Sequence, residues 1–174
     1  WSGDLGQALR EANGALALSP GDLELGVLVI DLHLSMGQPS LALSFAQREV
    51  QRNAQSADAY VLVGRAHVAP GQALASYEQA LSLNPQHARA HLGRGSMLRA
   101  KSRPEEARAA FERAATLQSG LGEAWSGWVL SLLDQGQAEE AKAVLRKGLK
   151  AAPGASDLSL MLSVLEPTEA VVLL

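Results

Sequence analysis

The sequence predicts an all-α protein built from repeated antiparallel helix–turn–helix units. Three observations predict it. Alanines recur at a near-constant interval of about 34 residues: Ala8 to Ala42, Ala73 to Ala107 and Ala107 to Ala141 are equally spaced. Two proline series keep step with them. Pro20, Pro85 and Pro153 each follow an alanine of the series by twelve positions, and Pro39, Pro70 and Pro104 each precede one by three. Within a unit, apolar residues fall at helical spacing, as Trp125, Trp128, Val129 and Leu132 do at i, i+3, i+4 and i+7. One matching interval would carry little. Five alanines with two proline series in register point to stacked units, each covering its neighbour's apolar face.

The elements follow in order. Residues 1–22 form a partial repeat, a second helix over 3–18 with no first helix. Full repeats occupy about 23–56, 57–87, 88–121 and 122–155, and 156–174 is a second partial repeat. In 122–155 the first helix runs from about Gly122 to Gln135, and Gly136 breaks it. The second helix runs from about Ala138 to Ala151, and Pro153 ends it. The proline three before each alanine suits a helix's first turn, where its missing N–H costs nothing. Ala141 and Gly148 are small enough to let two helices approach closely. Residues 156–165 read as a first helix, and Pro167-Thr168-Glu169-Ala170 repeats the proline–alanine signature. The apolar tail Ala170–Leu174 is unlike the polar caps that close repeat arrays. Residues 1–174 therefore read as a single domain cut from a longer array, and Trp1 in place of Met agrees with a processed chain or a fragment.

The interval shortens twice. Ala42 to Ala73 falls three positions short of the others, and Ala141 to Ala170 falls five short. Both losses fall where a first helix turns into a second, so a break or a tight turn is expected near Ala69–Pro70 and near Glu166–Pro167. Either the turns are short or residues are missing, and a first helix cut by three residues favours the latter.

Composition excludes several function classes. With 15 Lys+Arg against 18 Asp+Glu the net charge is −3, which lacks the basic footprint of nucleic-acid binding. At 47% hydrophobic and 19% charged the chain is too apolar for disorder. No apolar run reaches the ~20 residues of a membrane span, so direct membrane insertion is not expected. Cysteine is absent, which removes disulfides and thiolate sites. No signal peptide is visible, and the compartment, cytoplasmic or periplasmic, stays open.

The pattern W-x2-L-G-x2-Y, then A-x3-F, then P marks the tetratricopeptide repeat, and this sequence resembles that family along essentially its whole length. One copy has Trp125, Trp128, Val129, Leu132, Ala141, Leu145 and Pro153. Another has Tyr60, Val63, Gly64, His67, Ala73, Tyr77 and Pro85. A third has His91, Arg94, Gly95, Leu98, Ala107 and Phe111, with Ser119 where proline is usual. The 23–56 copy is degenerate, with Val29, Ile30, His33 and Ala42, then Ala46 and Ala54 in place of the aromatic and the proline. The resemblance implies a right-handed superhelical solenoid whose first helices line a concave groove.

Catalytic and metal chemistry read as structural instead. His87 and His91 have an i, i+4 spacing that can bind zinc, but the stretch reads His-Ala-Arg-Ala-His without the glutamate of H-E-x-x-H. His33 and His67 share a packing column. Glu105-Glu106 and Glu139-Glu140 fall in the first turn of second helices, where negative charge favours the helix dipole. Gly93-Arg94-Gly95 lies inside a helix rather than after a strand. Trp125 and Trp128 sit in columns that face the partner helix. No catalytic, cofactor-binding or metal-ligating residue is expected.

By matching to the family, the groove-facing set is Val27, Asp31, Leu34, Val61, Arg65, Val68, Leu92, Ser96, Arg99, Ser126, Leu130 and Leu133, continued by Leu160 and Val164. Some members clamp a peptide's C-terminal carboxylate with Lys, Asn and Arg. Here those places carry Val, Arg, Leu or Ser and no Asn, which argues against the clamp. The groove reads as aliphatic with a cationic middle, suited to a peptide or amphipathic helix carrying a few acidic residues. An alternative is that some of these apolar residues only pack between neighbouring first helices. The expected function is a non-enzymatic protein-binding scaffold in a bacterial multiprotein assembly for the envelope, secretion or polysaccharide machinery. The rival is the targeting arm of an enzyme, such as a glycosyltransferase, whose catalytic domain lies elsewhere. Self-association through exposed array ends is a further option.

Overall fold

A computed structural model describes residues 3–166. Among them are ten α-helices and no strand. They fall into two compact units, which divide between Pro85 and Gln86.

The first unit holds α1 (Gly3–Leu18), α2 (Leu23–Ser35), α3 (Pro39–Arg52), α4 (Ala57–Ala66) and α5 (Pro70–Leu83). Each helix packs on the next, and the first helices α2 and α4 also pack on each other. Val29, Ile30 and Leu32 of α2 close on Ala42, Phe45 and Ala46 of α3, with Ala12 and Leu16 of α1 on the other side. The second unit holds α6 (Ala88–Ala100), α7 (Pro104–Leu117), α8 (Gly122–Asp134), α9 (Ala138–Ala151) and α10 (Ser156–Leu165). Its first helices pack on one another as α6 on α8 and α8 on α10. Val129 and Leu132 of α8, Ala141, Val144 and Leu145 of α9, and Leu158 and Leu162 of α10 form one core.

Local chemistry sets the helix ends. Pro39, Pro70 and Pro104 open α3, α5 and α7. Asp22, Ser56 and His87 cap α2, α4 and α6 by accepting from Leu25, Ala59 and Ala90 backbone N–H groups. The first helices α2, α6 and α8 end in one motif. A left-handed residue (Gly37, Ser102 or Gly136) follows the C-cap, and the next residue's N–H reaches back to the carbonyl of His33, Leu98 or Leu132 at 2.8–3.0 Å.

α4 lacks this motif. It has 10 residues against the 13 of α2, α6 and α8, and it ends in extended backbone at His67. The turn that follows has three residues, as the others do. The short interval at Ala69–Pro70 is thus taken out of the helix, not the turn, because the last helical turn and its left-handed cap disappear together. α10 also has 10 residues. The connection at Glu166–Pro167, the Pro167–Ala170 signature and the tail Ala170–Leu174 lie outside the described residues.

One packing rule spans all four full repeats. The same pair of facing columns holds Ile30 with Ala46, Gly64 with Tyr77, Gly95 with Phe111, and Val129 with Leu145, and all eight are buried. Where the second helix carries a ring, the first helix has glycine. A Cβ on Gly64 would come within 2.8 Å of the Tyr77 ring, and one on Gly95 within 2.9 Å of Phe111. The 23–56 copy reverses the sizes, so its departure from the family pattern conserves volume rather than losing packing.

Candidate protein-binding site

First helices carry the expected groove residues, and burial sorts them. Val61, Leu92 and Ser126 are buried, at 3%, 8% and 6% exposure, and offer no surface to a partner. They pack as the alternative reading allowed. Val27, Leu34, Leu130 and Leu133 are half-buried. Val68 is exposed, but it sits in the turn beyond the end of α4 rather than on a first helix. Ser96 is exposed, and its hydroxyl donates back to the Leu92 carbonyl at 3.1 Å. Leu160 and Val164 are exposed on α10.

The charged members are paired. Arg65 of α4 donates to both carboxylate oxygens of Asp31 on α2, at 2.7 and 2.6 Å. Arg99 of α6 donates to Asp134 of α8 at 2.6 and 3.4 Å. The Ser126 hydroxyl donates to Asp157 of α10 as well as to the Gly122 carbonyl. The Arg65–Asp31, Arg99–Asp134 and Ser126–Asp157 bonds each tie one first helix to the next within its unit. The cationic middle expected from sequence is therefore neutralised by Asp31 and Asp134. Asp134 and Asp157 were missed, although a signal existed: Asp31 and Arg65, like Arg99 and Asp134, are opposite charges about one repeat apart in sequence.

Several of the remaining candidates have structural partners. His87 is an N-cap, and His33 Nδ1 lies 3.0 Å from Gln38 Oε1. Glu105-Glu106 and Glu139-Glu140 lie in the first turns of α7 and α9. Arg103 hydrogen-bonds Glu106 and Lys142 hydrogen-bonds Glu139, and each partner holds its carboxyl below the ordinary value. Trp125 and Trp128 are stacked with ring centroids 5.6 Å apart, and Trp125 Nε1–H donates to the Ser119 carbonyl at 2.8 Å. Trp125 lies on Gly148, where a Cβ would come within 2.8 Å of its own Cβ. This is the close approach that the small residue in α9 implied.

Comparisons with known proteins agree with this geometry. Residues 70–121 and 129–154 match family models described as tetratricopeptide repeat. The chain carries tetratricopeptide repeats. A crystal structure of TTC0263, a thermophilic TPR protein in Thermus thermophilus, is similar at 25% identity with TM-score 0.76, over 94% of this chain and 91% of that one. PilF of Pseudomonas aeruginosa is similar at 20% identity with TM-score 0.71, over 87% and 70%. A chain of the APC/C hetero-tetramer Cut9–Hcn1 is similar at 16% identity with TM-score 0.78, over 97% of this chain and 33% of that one. The last two likenesses concern the fold alone. No curated protein matches the sequence. Tetratricopeptide repeats support a protein–protein interaction scaffold. Among the described residues, no helix is long and apolar enough to cross a membrane.

Proposed function

We propose that this tetratricopeptide-repeat chain is a non-enzymatic scaffold that binds an apolar peptide or amphipathic helix of a partner protein on the first-helix faces of its units. One observation carries the reading. In the second unit, Leu130 and Leu133 of α8 remain partly exposed beside an Arg99–Asp134 pair whose charges cancel. An apolar segment can lie there without leaving a charge unpaired. Val27 and Leu34 flank the Asp31–Arg65 pair of the first unit in the same way. With both arginines neutralised, the partner's acidity matters less than the sequence suggested, and apolar burial supplies most of the affinity. We place it further in a bacterial multiprotein assembly; the likeness to TTC0263 of Thermus thermophilus is consistent with the bacterial setting.

The test is affinity capture run in parallel with three baits. Leu130→Asp with Leu133→Asp should lose the partner that the unaltered protein retains. Leu41→Asp, on the exposed side of second helix α3, should keep it. The reverse pattern would place the partner on second helices and overturn the reading.

A further inference from the structure

The 23–56 repeat departs from the other three on its second helix, and its changed residues meet in one cleft. The rings of Tyr77 and Phe111 lie against Gly64 and Gly95 of their own first helices. α3 has Ala46 in that column and carries its ring one position earlier, at Phe45, where α5, α7 and α9 have Ser76, Ala110 and Val144. Phe45 is buried in the core with Ala12 and Leu16 of α1. Arg52, the last residue of α3, takes a column that holds Leu83, Leu117 and Ala151 in the other second helices.

Phe45 and Arg52 both line a cleft of about 370 Å³ between the C-terminal halves of α1 and α3. The buried Leu16 and Phe45 form its floor, and Asn13, Arg48, Glu49 and Arg52 stand around it. Pro20, Glu49 and Arg52 also line an adjoining hollow of about 450 Å³ that reaches Ser56 and Leu62. Every lining residue belongs to the first unit. Glu49 is 13% exposed and accepts a bond of 3.1 Å from Arg52, which stays 66% exposed. Arg48, one turn earlier on the same face, stands 6.0 Å from the Phe45 ring centroid and forms no ion pair among the described residues. The ring positions this guanidinium by cation–π attraction without neutralising it. Positive charge therefore remains on the rim above an apolar floor.

Charge and floor together select the ligand. The first unit carries four arginines and no lysine against eight carboxylates, so a polyanion such as nucleic acid is repelled from it. A single carboxylate between Arg48 and Arg52 is not, because it relieves the repulsion of two cations one helical turn apart. The apolar floor takes the side chain beside that carboxylate. We propose that this cleft binds an acidic, apolar segment of a partner protein, with a carboxylate on Arg48 and Arg52 and a neighbouring aliphatic side chain on Leu16 and Phe45. The arginines give the segment its register, and the floor adds affinity. The cleft lies on second helices, so it is separate from the first-helix faces and serves a second partner.

Nuclear magnetic resonance titration of the isotope-labelled chain tests it, with the acetylated, amidated pentapeptide Ala-Leu-Glu-Leu-Ala as the probe. Over about 0.1–5 mM peptide, the weak range of association, amide signals of Asn13, Ala17, Arg48 and Arg52 should shift. The same peptide with glutamine in place of glutamate should bind at least about tenfold more weakly, the worth of one charged hydrogen bond. Arg48→Gln, which changes an exposed side chain, should weaken the glutamate peptide by about as much, and Arg48→Lys should keep part of the affinity. Leu130→Asp with Leu133→Asp should change neither peptide's binding. Four results would overturn the inference: no shift at the cleft with the glutamate peptide; equal binding of the glutamine peptide; Arg48→Gln without effect; or inorganic phosphate shifting the same signals with equal affinity, which would make the cleft a site for any small anion.

Discussion

Arg65 and Asp31, 34 residues apart in sequence, meet across α4 and α2 as a two-pronged ion pair whose side chains are each about two-fifths exposed. The pair removes a charge from the face where a partner is proposed to lie. Exposed pairs contribute little to stability, so a double-mutant cycle with Arg65→Ala and Asp31→Ala should give a coupling of about 0.2–1 kcal/mol. The coupling should shrink in high salt. Thermal or urea unfolding of the four proteins measures it. A coupling several times larger would mean that solvent screens the pair far less than its exposure implies.

Tyr77 reports on the same corner of the fold from inside. Burial is the main cause that pushes its phenol up to about 12 from the ordinary value of 10.0, Arg65 pulls the other way, and Asp31 adds to the rise. Folding holds the neutral form, so its contribution is complete below pH 10, the unfolded value, and is lost as pH climbs towards 12. The loss should be on the order of 2–3 kcal/mol. Tyr77→Phe cannot ionise and should flatten the stability profile across that window, as unfolding at graded pH would show. An unchanged slope in the variant would assign alkaline unfolding to other groups.

Phe111 is held between two glycines. Besides Gly95 on α6, Gly127 on α8 approaches its ring so closely that a Cβ there would lie 2.4 Å away. Gly127→Ala should destabilise the second unit by about 1–3 kcal/mol, the usual cost of overpacking. Phe111→Leu should recover part of that loss when combined with Gly127→Ala, although alone it destabilises. Additive losses in the double variant would show that the ring does not set the limit at Gly127.

Ser102 occupies the left-handed position after α6, with φ 56°, where α2 and α8 have Gly37 and Gly136. A side chain in that conformation costs roughly 1–2 kcal/mol. Ser102→Gly should therefore raise stability by up to about 1 kcal/mol, net of glycine's greater freedom in the unfolded chain. Equilibrium denaturation reads the gain directly, and a loss would imply that the Ser102 side chain stabilises the turn in another way.

Trp125→Ala should cost about 3 kcal/mol, the low end for aromatic truncation, because the ring is only half-buried. Its stacking on Trp128 and its bond to Ser119 go with it. An unchanged melting temperature would detach this ring from the core.

The helices were legible because each repeat carries its own punctuation. Pro39, Pro70 and Pro104 open second helices, and the alanine three residues later is buried in each of these three repeats, as Ala141 is in the fourth. The surface was less legible. Val61, Leu92 and Ser126 share helical faces with truly accessible residues, and only the distance between neighbouring helices decides which are covered. Glycines such as Gly26 and Gly127 set that distance by omitting a side chain, an effect that hydrophobic periodicity does not register. The neutralised arginines could have been found, because Asp31 and Arg65 stand one repeat apart. Reading charges column by column across repeats, rather than along one helix, exposes such pairs.

Amide hydrogen exchange of the chain with and without its captured partner tests the central claim most directly. The expected result is slowed exchange in α2 and α8, the first helices that carry the half-buried Val27, Leu34, Leu130 and Leu133, with second helices α3, α5, α7 and α9 unchanged. Slowed exchange confined to the second helices would contradict the account and move the binding surface to the opposite side of each repeat.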